Sequence, residues 1–256
     1  MTKRGRSPLN RSLDRGIAIL RAYRPGTELL GNGDLAERTG LPRASISRLT
    51  QTLVEAGWLE HDRRERAYRL SAPVLSLAHA MRSGSPVLRV ATPPMTALAR
   101  RMRVNVGLAM RDGDDMIYLE SVRFNTRGAQ RSVVSGQRVP IELTALGRAW
   151  FAVAPERERA ALIAKWKAKR RKTWPGLDRE IVNAAADVAR KGYCSASWQP
   201  QVIALACPLE FAHRPIHVVN VSVTSEAPLS NVTRTLEGPL LKLAAQLRQQ
   251  IGELDP

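Results

Sequence analysis

The chain has 256 residues, of which 44% are hydrophobic, 25% charged and only 5% aromatic, an ordinary composition for a globular protein. Its 40 Lys and Arg residues outnumber 23 Asp and Glu residues, and the net charge of +17 attracts polyanions in a salt-dependent way. Two cysteines cannot form a disulfide framework, and no apolar run approaches the roughly 18 residues of a membrane span. We therefore expect a cytoplasmic protein of one or two domains with no membrane partner.

The N-terminal segment changes character at Ser12. Residues 1–11 are polar and basic and lack periodicity, so we predict a disordered basic arm. Beyond them, Ile17 and Leu20 belong to an amphipathic pattern that predicts a helix capped by Ser12. Asn32 is the predicted cap of the next helix. The first helix is expected to complete the core of the segment that follows.

Residues 31–70 have the pattern of a helix-turn-helix followed by a two-stranded flap. Two helical stretches are separated by TGLP at 39–42, where the Gly permits a positive φ and the Pro suits a first helical turn. In the second helix, Ile46, Leu49 and Leu53 form an apolar stripe that faces the core.

The opposite face of the second helix is polar, especially near its N-terminal end, where helices of this type meet phosphates and base edges. The flap has a basic tip, DRRER at 62–66, which is typical of a wing against the DNA backbone. We predict binding to double-stranded DNA, with a purely structural helical hairpin as the alternative. The residues expected to contact DNA are Arg11, Arg15, Arg43, Ser45, Ser47, Arg48, Arg63, Arg64 and Arg66.

A helical linker follows the flap. Residues 74–81 and 87–103 have helical patterns on either side of SGSP at 83–86, and we place a domain boundary near residue 83. Pro93 and Pro94 are expected to kink the second of these helices or to begin a new one. The apolar residues expected to pair with a second copy of the chain are Val74, Leu75, Leu77 and Leu88.

Strands and helices mix in the remaining part of the chain. Residues 104–111 and 116–124 flank the turn sequence DGDD and predict an antiparallel hairpin, and 132–134 is expected to add a short strand. These elements predict an α+β domain around an antiparallel sheet with helices on one face. Further helices are predicted at 144–153, 155–166, 177–191 and 231–251, and further strands at 193–198, 202–211 and 216–224.

Six of the eight residues from 165 to 172 are Lys or Arg. A solvated loop is one interpretation of this run, and a second contact with nucleic acid is the other. The sequence leaves both open.

The chain has none of the common catalytic fingerprints, such as a GxSxG elbow, a phosphate-binding loop or an HExxH pair. His213 and His217 are separated by Arg214-Pro215, which prevents them from sharing one helix face, and two ligands do not make a zinc site. We therefore expect no metal, no cofactor and no enzymatic activity. An enzyme that uses a C-terminal pocket is the less favoured alternative.

Together these segments resemble the IclR family of bacterial transcriptional regulators, from about Arg11 to Ile251. The resemblance implies a winged helix-turn-helix at 12–71 after the arm at 1–11, a linker helix at 72–94 and a GAF-like effector-binding domain at 95–256. It also implies assembly as homodimers or dimers of dimers. The motifs that carry it are SLDRGIAIL at 12–20, LAERTGLPRASISRLTQTLVEAGWLE at 35–60, YRL at 68–70, DGDDMIYLESV at 112–122, LTALGRAWFA at 143–152, KGY at 191–193 and ALACPL at 204–209.

The resemblance further implies a small-molecule pocket against the sheet, beside the segment TALG at 144–147. Free N–H groups at a helix start suit a carboxylate, and the Gly is expected to let a ligand approach. Family members often carry acidic residues where 195–199 here is SASWQ, so a larger or more apolar carboxylic acid or aromatic catabolite is expected. The residues expected to bind the effector are Asn105, Gly107, Thr144, Ala145, Leu146, Gly147, Ser197, Trp198, Ala204 and Cys207.

The expected function is that of a regulator that recognises an operator sequence and responds to a small molecule. The main alternative is an architectural protein that uses its positive charge to coat DNA without sequence preference. Protection of a few sites in a footprint favours the regulator, whereas uniform coating favours the architectural protein.

Overall fold

The computed structural model describes residues 10–124 and 134–254. The chain divides after Gly84 into two compact units, and each is described by itself. The N-terminal unit consists of α1 (Arg11–Arg21), α2 (Asn32–Thr39), α3 (Arg43–Glu55), β1 (Leu59–Asp62), β2 (Ala67–Leu70) and α4 (Pro73–Ser83).

The first three helices and the hairpin share one small core. Ile19 of α1, Leu35 of α2 and Ile46 of α3 are completely buried, and Leu59 of β1 packs with them. Each fully buried aliphatic side chain of this size contributes roughly 1.5–3 kcal/mol to stability. Strands β1 and β2 pair antiparallel over their full length. The predicted helix-turn-helix and its two-stranded flap are therefore confirmed.

The residues that cap α1 and α2 differ from the prediction. Asn10 caps α1, because its side-chain oxygen accepts hydrogen bonds of 3.1 Å from the amides of Ser12 and Leu13. Ser12 itself lies inside the first turn. For α2 the carboxylate of Asp34 accepts a 2.8 Å hydrogen bond from the N–H of Gly31, and the predicted cap Asn32 is already helical. The cap of α1, Asn10, lies two residues before the predicted one, and the cap of α2, Gly31, lies one residue before it.

The C-terminal unit is built on a six-stranded antiparallel sheet with the strand order β5-β4-β3-β8-β7-β6. Its α+β class agrees with the prediction. Its elements are α5 (Pro86–Met102), β3 (Asn105–Asp112), β4 (Asp115–Val122), β5 (Arg138–Pro140), α6 (Ala145–Val153), α7 (Glu156–Lys169), α8 (Trp174–Lys191), β6 (Cys194–Ala196), β7 (Val202–Leu209), β8 (His217–Thr224) and α9 (Leu229–Gly252).

Helices cover both faces of this sheet, so the prediction of helices on one face was wrong. Val106, Leu108 and Leu205 lie in a core with α5 and α9. Ala109 and Ala206 lie in a second core with α6, α7 and α8. The physical reason is that β3 and β7 present apolar side chains on both faces, as in sheets buried from both sides.

Several local predictions are also corrected. Pro93 and Pro94 lie inside the continuous helix α5, so neither of them begins a new helix. Leu88 is only 5% exposed and packs in the core with α9, which removes it from the surface predicted to pair with a second copy. The strand predicted at 132–134 falls mostly outside the described residues, and its last residue, Val134, is not in a strand.

The basic run at 165–172 is not a simple loop. Helix α7 continues to Lys169, so the first half of the run is helical, and only Arg170 to Thr173 connect α7 to α8. Trp166, within the run, is 4% exposed and contacts the ring of Phe151 at a centroid distance of 5.4 Å. The apolar anchor explains why the helix extends into this charged segment.

Candidate functional site

The turn between α2 and α3 is built around Gly40. This residue has φ +69°, and its N–H donates a 2.9 Å hydrogen bond to the carbonyl of Ala36. A β-carbon added there would meet nothing within 4 Å, so the backbone conformation and not lack of space favours glycine. Leu41 packs against the core, and Pro42 precedes the first residue of α3. The turn thus fixes the start of α3 on the core.

Helix α3 has one buried face and one exposed face. Ile46 and Thr50 are completely buried, and the Thr50 hydroxyl donates a 2.9 Å hydrogen bond to the carbonyl of Ile46. On the opposite face lie the side chains predicted to reach DNA. Arg43, Ser47 and Arg48 are exposed, and Ser45 is half-buried. A helix anchored in this way presents its polar N-terminal half to solvent.

The tip of the β1–β2 hairpin is held by Asp62. Its carboxylate accepts hydrogen bonds from the amides of Arg64 at 3.0 Å and Glu65 at 3.1 Å, and it also pairs with the guanidinium of Arg69. These interactions lower the pKa of Asp62, and the hydrogen bond from Glu65 has the largest effect. Arg66 has φ +50° and closes the turn. The three wing-tip arginines, at 63, 64 and 66, are all exposed.

Arg11 and Arg15 lie one turn apart on α1. Arg11 is exposed and Arg15 is half-buried. The N-terminal unit therefore carries three groups of predicted contacts, on α1, on the outer face of α3 and at the hairpin tip. All are cationic or polar, as contacts to a phosphate backbone require.

In the C-terminal unit, Thr144 caps the predicted effector-binding helix α6. Its hydroxyl accepts a 3.1 Å hydrogen bond from the amide of Gly147, and Arg148 donates the first backbone bond of the helix to the Thr144 carbonyl. The amides of Ala145 and Leu146 precede that bond, in the positions that a helix N-terminus leaves without an intrahelical acceptor. Both residues are buried against the sheet.

The predicted role of Gly147 was wrong. A β-carbon at this position would lie 2.1 Å from the Ile141 carbonyl oxygen and 2.2 Å from the Ile141 α-carbon. The missing side chain therefore makes room for the main chain that precedes the helix, and not for a ligand. This close approach packs the loop from Ile141 to Thr144 onto α6.

The sheet face beneath α6 contains a buried polar group that the sequence analysis missed. Asn220 of β8 is 3% exposed, and its side-chain oxygen has no hydrogen-bond partner among the described residues. Its amide interacts with the hydroxyl of Tyr118, whose pKa is raised by burial. A β-carbon on Gly107 would lie 2.4 Å from the Tyr118 ring and 2.5 Å from the Asn220 oxygen. Gly107 thus lets these two side chains meet over β3.

Register separates the other predicted effector residues into two sets. Asn105 and Ala204 both pair with Ser222, two residues beyond Asn220, and alternation puts them on the face beneath α6. Cys207 points to the opposite face, where the guanidinium of Arg248 on α9 lies 3.2 Å from its sulfur. Cys207 therefore does not share a site with the start of α6.

Ser197 and Trp198 follow β6 and are exposed. Trp198 is 40% exposed, so it is not a core residue. Asn105 holds the end of β4, because its side-chain oxygen accepts a 3.3 Å hydrogen bond from the Phe124 amide. The side-chain oxygen of Asn220 is a buried acceptor on this sheet face to which no described residue donates a hydrogen bond.

Two family models match nearly all of the described chain. Residues 12–63 match the IclR helix-turn-helix domain, and residues 79–249 match the C-terminal domain of the bacterial transcriptional regulator IclR. The chain belongs to the IclR family of transcriptional regulators.

Individual IclR proteins resemble the chain over most of its length. The HTH-type transcriptional regulator TsaQ1/TsaQ2 of Comamonas testosteroni is 35% identical over 185 residues, which are 71% of this chain and 66% of that protein, just under two thirds. The crystal structure of an IclR family regulator from Brucella abortus is 31% identical, with a TM-score of 0.85, and the match covers 94% and 92% of the two chains.

A third relative has been solved with a ligand. The IclR homolog of Microbacterium hydrocarbonoxydans complexed with 4-hydroxybenzoate is 20% identical, with a TM-score of 0.65 and coverage of 93% and 98%. At this identity the likeness shows the shared fold. Within the described ranges, no group of three or more His, Cys, Asp or Glu residues is arranged to hold a metal ion. No helix in those ranges has the length and apolar character to span a membrane.

Proposed function

We propose that this IclR protein is a cytoplasmic, sequence-specific transcriptional regulator whose operator affinity is modulated by a small molecule bound in its C-terminal unit. The observation that carries the proposal is the exposed polar face of α3, the second helix of a helix-turn-helix in an IclR-type domain. In DNA-binding proteins of this architecture the corresponding helix enters the major groove.

The three groups of polar residues suit different contacts. We propose that Arg48, with Arg43 and Ser47 beside it, meets base edges and nearby phosphates from α3. The three wing-tip arginines and the two α1 arginines, Arg11 and Arg15, suit the phosphate backbone, which contributes affinity but no direct sequence information. Ser45 lies in the first turn of α3 and is half-buried, so it suits a contact with DNA that approaches the backbone of α3 closely.

A second copy of the chain is part of the proposal. One helix-turn-helix reads only a few base pairs, which is too little discrimination against a genome of competing sites. Val74, Leu77 and Met81 repeat on one face of α4, and Leu77 and Met81 are 58% and 53% exposed. This stripe supports pairing of two α4 helices in a homodimer, or in a dimer of dimers.

The effector site is proposed on the sheet face beneath α6. The amides of Ala145 and Leu146 suit a carboxylate, and the Asn220 oxygen suits a hydroxyl or N–H donor on the ligand. The 4-hydroxybenzoate of the Microbacterium homolog has both groups. We therefore propose a small carboxylic acid, such as an aromatic catabolite, that carries a second polar group. The remaining contacts are proposed for Asn105, Thr144, Ser197, Trp198 and Ala204, whereas the space over Gly107 is filled by Tyr118 and Asn220.

The α3 assignment is tested with Arg48→Ala and a matched control, Glu55→Ala. Glu55 lies at the far end of the same exposed face and interacts with Gln51 at 3.1 Å. Loss of Arg48 is expected to weaken operator binding by about 1–3 kcal/mol, and loss of Glu55 to change it far less. Both variants should keep the wild-type circular dichroism spectrum. Equal operator affinity of Arg48→Ala and wild type would reject the assignment.

The effector assignment is tested with pairs of carboxylic acids that differ by one hydroxyl, for example 4-hydroxybenzoate and benzoate. A ligand that binds only the folded state raises the melting temperature, so a thermal-shift series gives relative affinity. We expect the hydroxylated member of a binding pair to bind about 10-fold more tightly, and Asn220→Leu to abolish that preference. A preference that survives Asn220→Leu would place the donor elsewhere.

A further inference from the structure

The connection between α7 and α8 carries cations that the proposed DNA contacts and effector site do not use. We name Lys167, Lys169, Arg171 and Lys172 the basic turn. All four are exposed, and within the described part of the chain no carboxylate pairs with any of them. Lys165, by contrast, pairs with Asp114 at 2.9 Å. The four cations lie within six consecutive residues.

Two buried interactions fix the basic turn to the rest of the C-terminal unit. Arg170 pairs with the carboxylate of Glu142 at 2.6 Å, and the Glu142 side chain is only 4% exposed. Trp166 is buried in the core. The ammonium group of its neighbour Lys167 lies 5.7 Å from the centre of the Trp174 ring. The basic turn is thus displayed on an anchored scaffold, and its residues lose less conformational freedom on binding than those of a flexible tail.

The local charge balance is strongly positive. Lys167 and Lys169 complement the C-terminal end of the α7 dipole, which accounts for part of the pattern. Arg171 and Lys172 lie beyond that helix and have no such role. Among the neighbouring acids on α8, Glu180 pairs with Arg148, and Asp178 is followed directly in the sequence by the cation Arg179. The four charges of the basic turn are therefore not compensated locally.

From these observations we propose that the basic turn is a second DNA contact, which binds backbone phosphates of the duplex flanking the operator. The inference rests on the proposed function, because operator binding brings duplex phosphates to the protein. The chemistry favours phosphates over an acidic protein surface. Protein interfaces centre on aromatic and apolar anchors, whereas the exposed residues between and directly after these cations are Ala168 and Thr173, and the neighbouring Trp174 is partly buried beside Lys167. Lysine and arginine without an apolar centre suit a salt-dependent backbone contact.

The test compares two duplexes, one that ends at the operator and one extended on each side by about one and a half helical turns, roughly 16 base pairs. The slope of log affinity against log salt is measured for the full-length wild type and for the variant Lys167→Gln, Lys169→Gln, Arg171→Gln and Lys172→Gln. A matched control removes four exposed cations from α5 and α9, where they lie on the other side of the sheet: Arg100→Gln, Arg101→Gln, Arg234→Gln and Lys242→Gln.

Each phosphate neutralised contributes about 0.9 to the slope, so the extended duplex is expected to lose roughly 2–4 units in the basic-turn variant. The operator-only duplex and the control variant should show much smaller changes. Equal slopes of wild type and basic-turn variant on the extended duplex would overturn the proposal. The proposal would also be overturned if the basic-turn variant changed transcription in vitro while its salt slope on the extended duplex stayed at the wild-type value. That result would point to an acidic protein partner. Loss of binding in Arg48→Ala separates the proposed function from this inference, since Arg48 acts on both duplexes.

Discussion

Replacing Gly147 with Ala is expected to destabilise the C-terminal unit whether or not an effector is present. The new β-carbon would lie 2.1 Å from the Ile141 carbonyl oxygen and 2.2 Å from its α-carbon, where ordinary contact begins at 3.4 Å. Main-chain atoms cannot escape by a rotamer change, so the loop or α6 must move by about an ångström. Overpacking a core by a methyl group usually costs about 1–3 kcal/mol, and here we expect about 3 kcal/mol.

For a unit of this size, 3 kcal/mol lowers the melting temperature by roughly 6–12 °C. Trp150 and Trp166 are 3% and 4% exposed in the same core, and their fluorescence reports its unfolding. Gly176→Ala is the matched control, because a β-carbon there meets nothing within 4 Å inside α8. That change should be neutral or stabilise by up to about 1 kcal/mol. A Gly147→Ala protein with wild-type stability and weaker effector binding would restore the ligand-approach role and refute the packing argument.

Three further variants test separate parts of the structure. Changing the three wing-tip arginines to Ala should reduce the salt slope of operator binding by about 1–3 units without altering the preferred sequence, and an unchanged slope would place the wing away from DNA. Arg170→Ala leaves the buried carboxylate of Glu142 unpaired and should cost about 3–5 kcal/mol in urea unfolding; a loss below 1 kcal/mol would mean the pair is not structural. Leu77→Glu with Met81→Glu should convert the protein to monomers in sedimentation analysis, and an unchanged mass would exclude α4 from the interface.

Local patterns in the sequence predicted the parts of the fold that local interactions determine. The stripe of Ile46, Leu49 and Leu53 and the glycine turn before it were sufficient to predict α3, since helical periodicity is a short-range signal. The caps were placed less accurately, because Asn10 and Asp34 act through side-chain hydrogen bonds that a hydrophobic pattern does not contain.

The residues that share the proposed effector site could be predicted only in part, because their grouping depends on which sheet face each strand residue occupies. Ala204 and Cys207 are three residues apart on one strand, so alternation alone could have shown that they face opposite sides. Asn220 was detectable as a polar residue among valines of β8, but its burial depends on pairing with β3 and β7. The role of Gly147 depends on the path of the preceding loop, which no periodicity describes.

The most direct test of ligand-controlled DNA binding is the operator affinity of the full-length protein, measured with and without a saturating ligand from the thermal-shift series. A ligand can shift operator binding only by its different affinity for the DNA-bound and free arrangements. We predict a change of about 5- to 150-fold, which corresponds to a coupling of roughly 1–3 kcal/mol. An operator affinity that stays constant while the same ligand raises the melting temperature, and while Asn220→Leu abolishes the preference for its hydroxyl, would contradict the coupling.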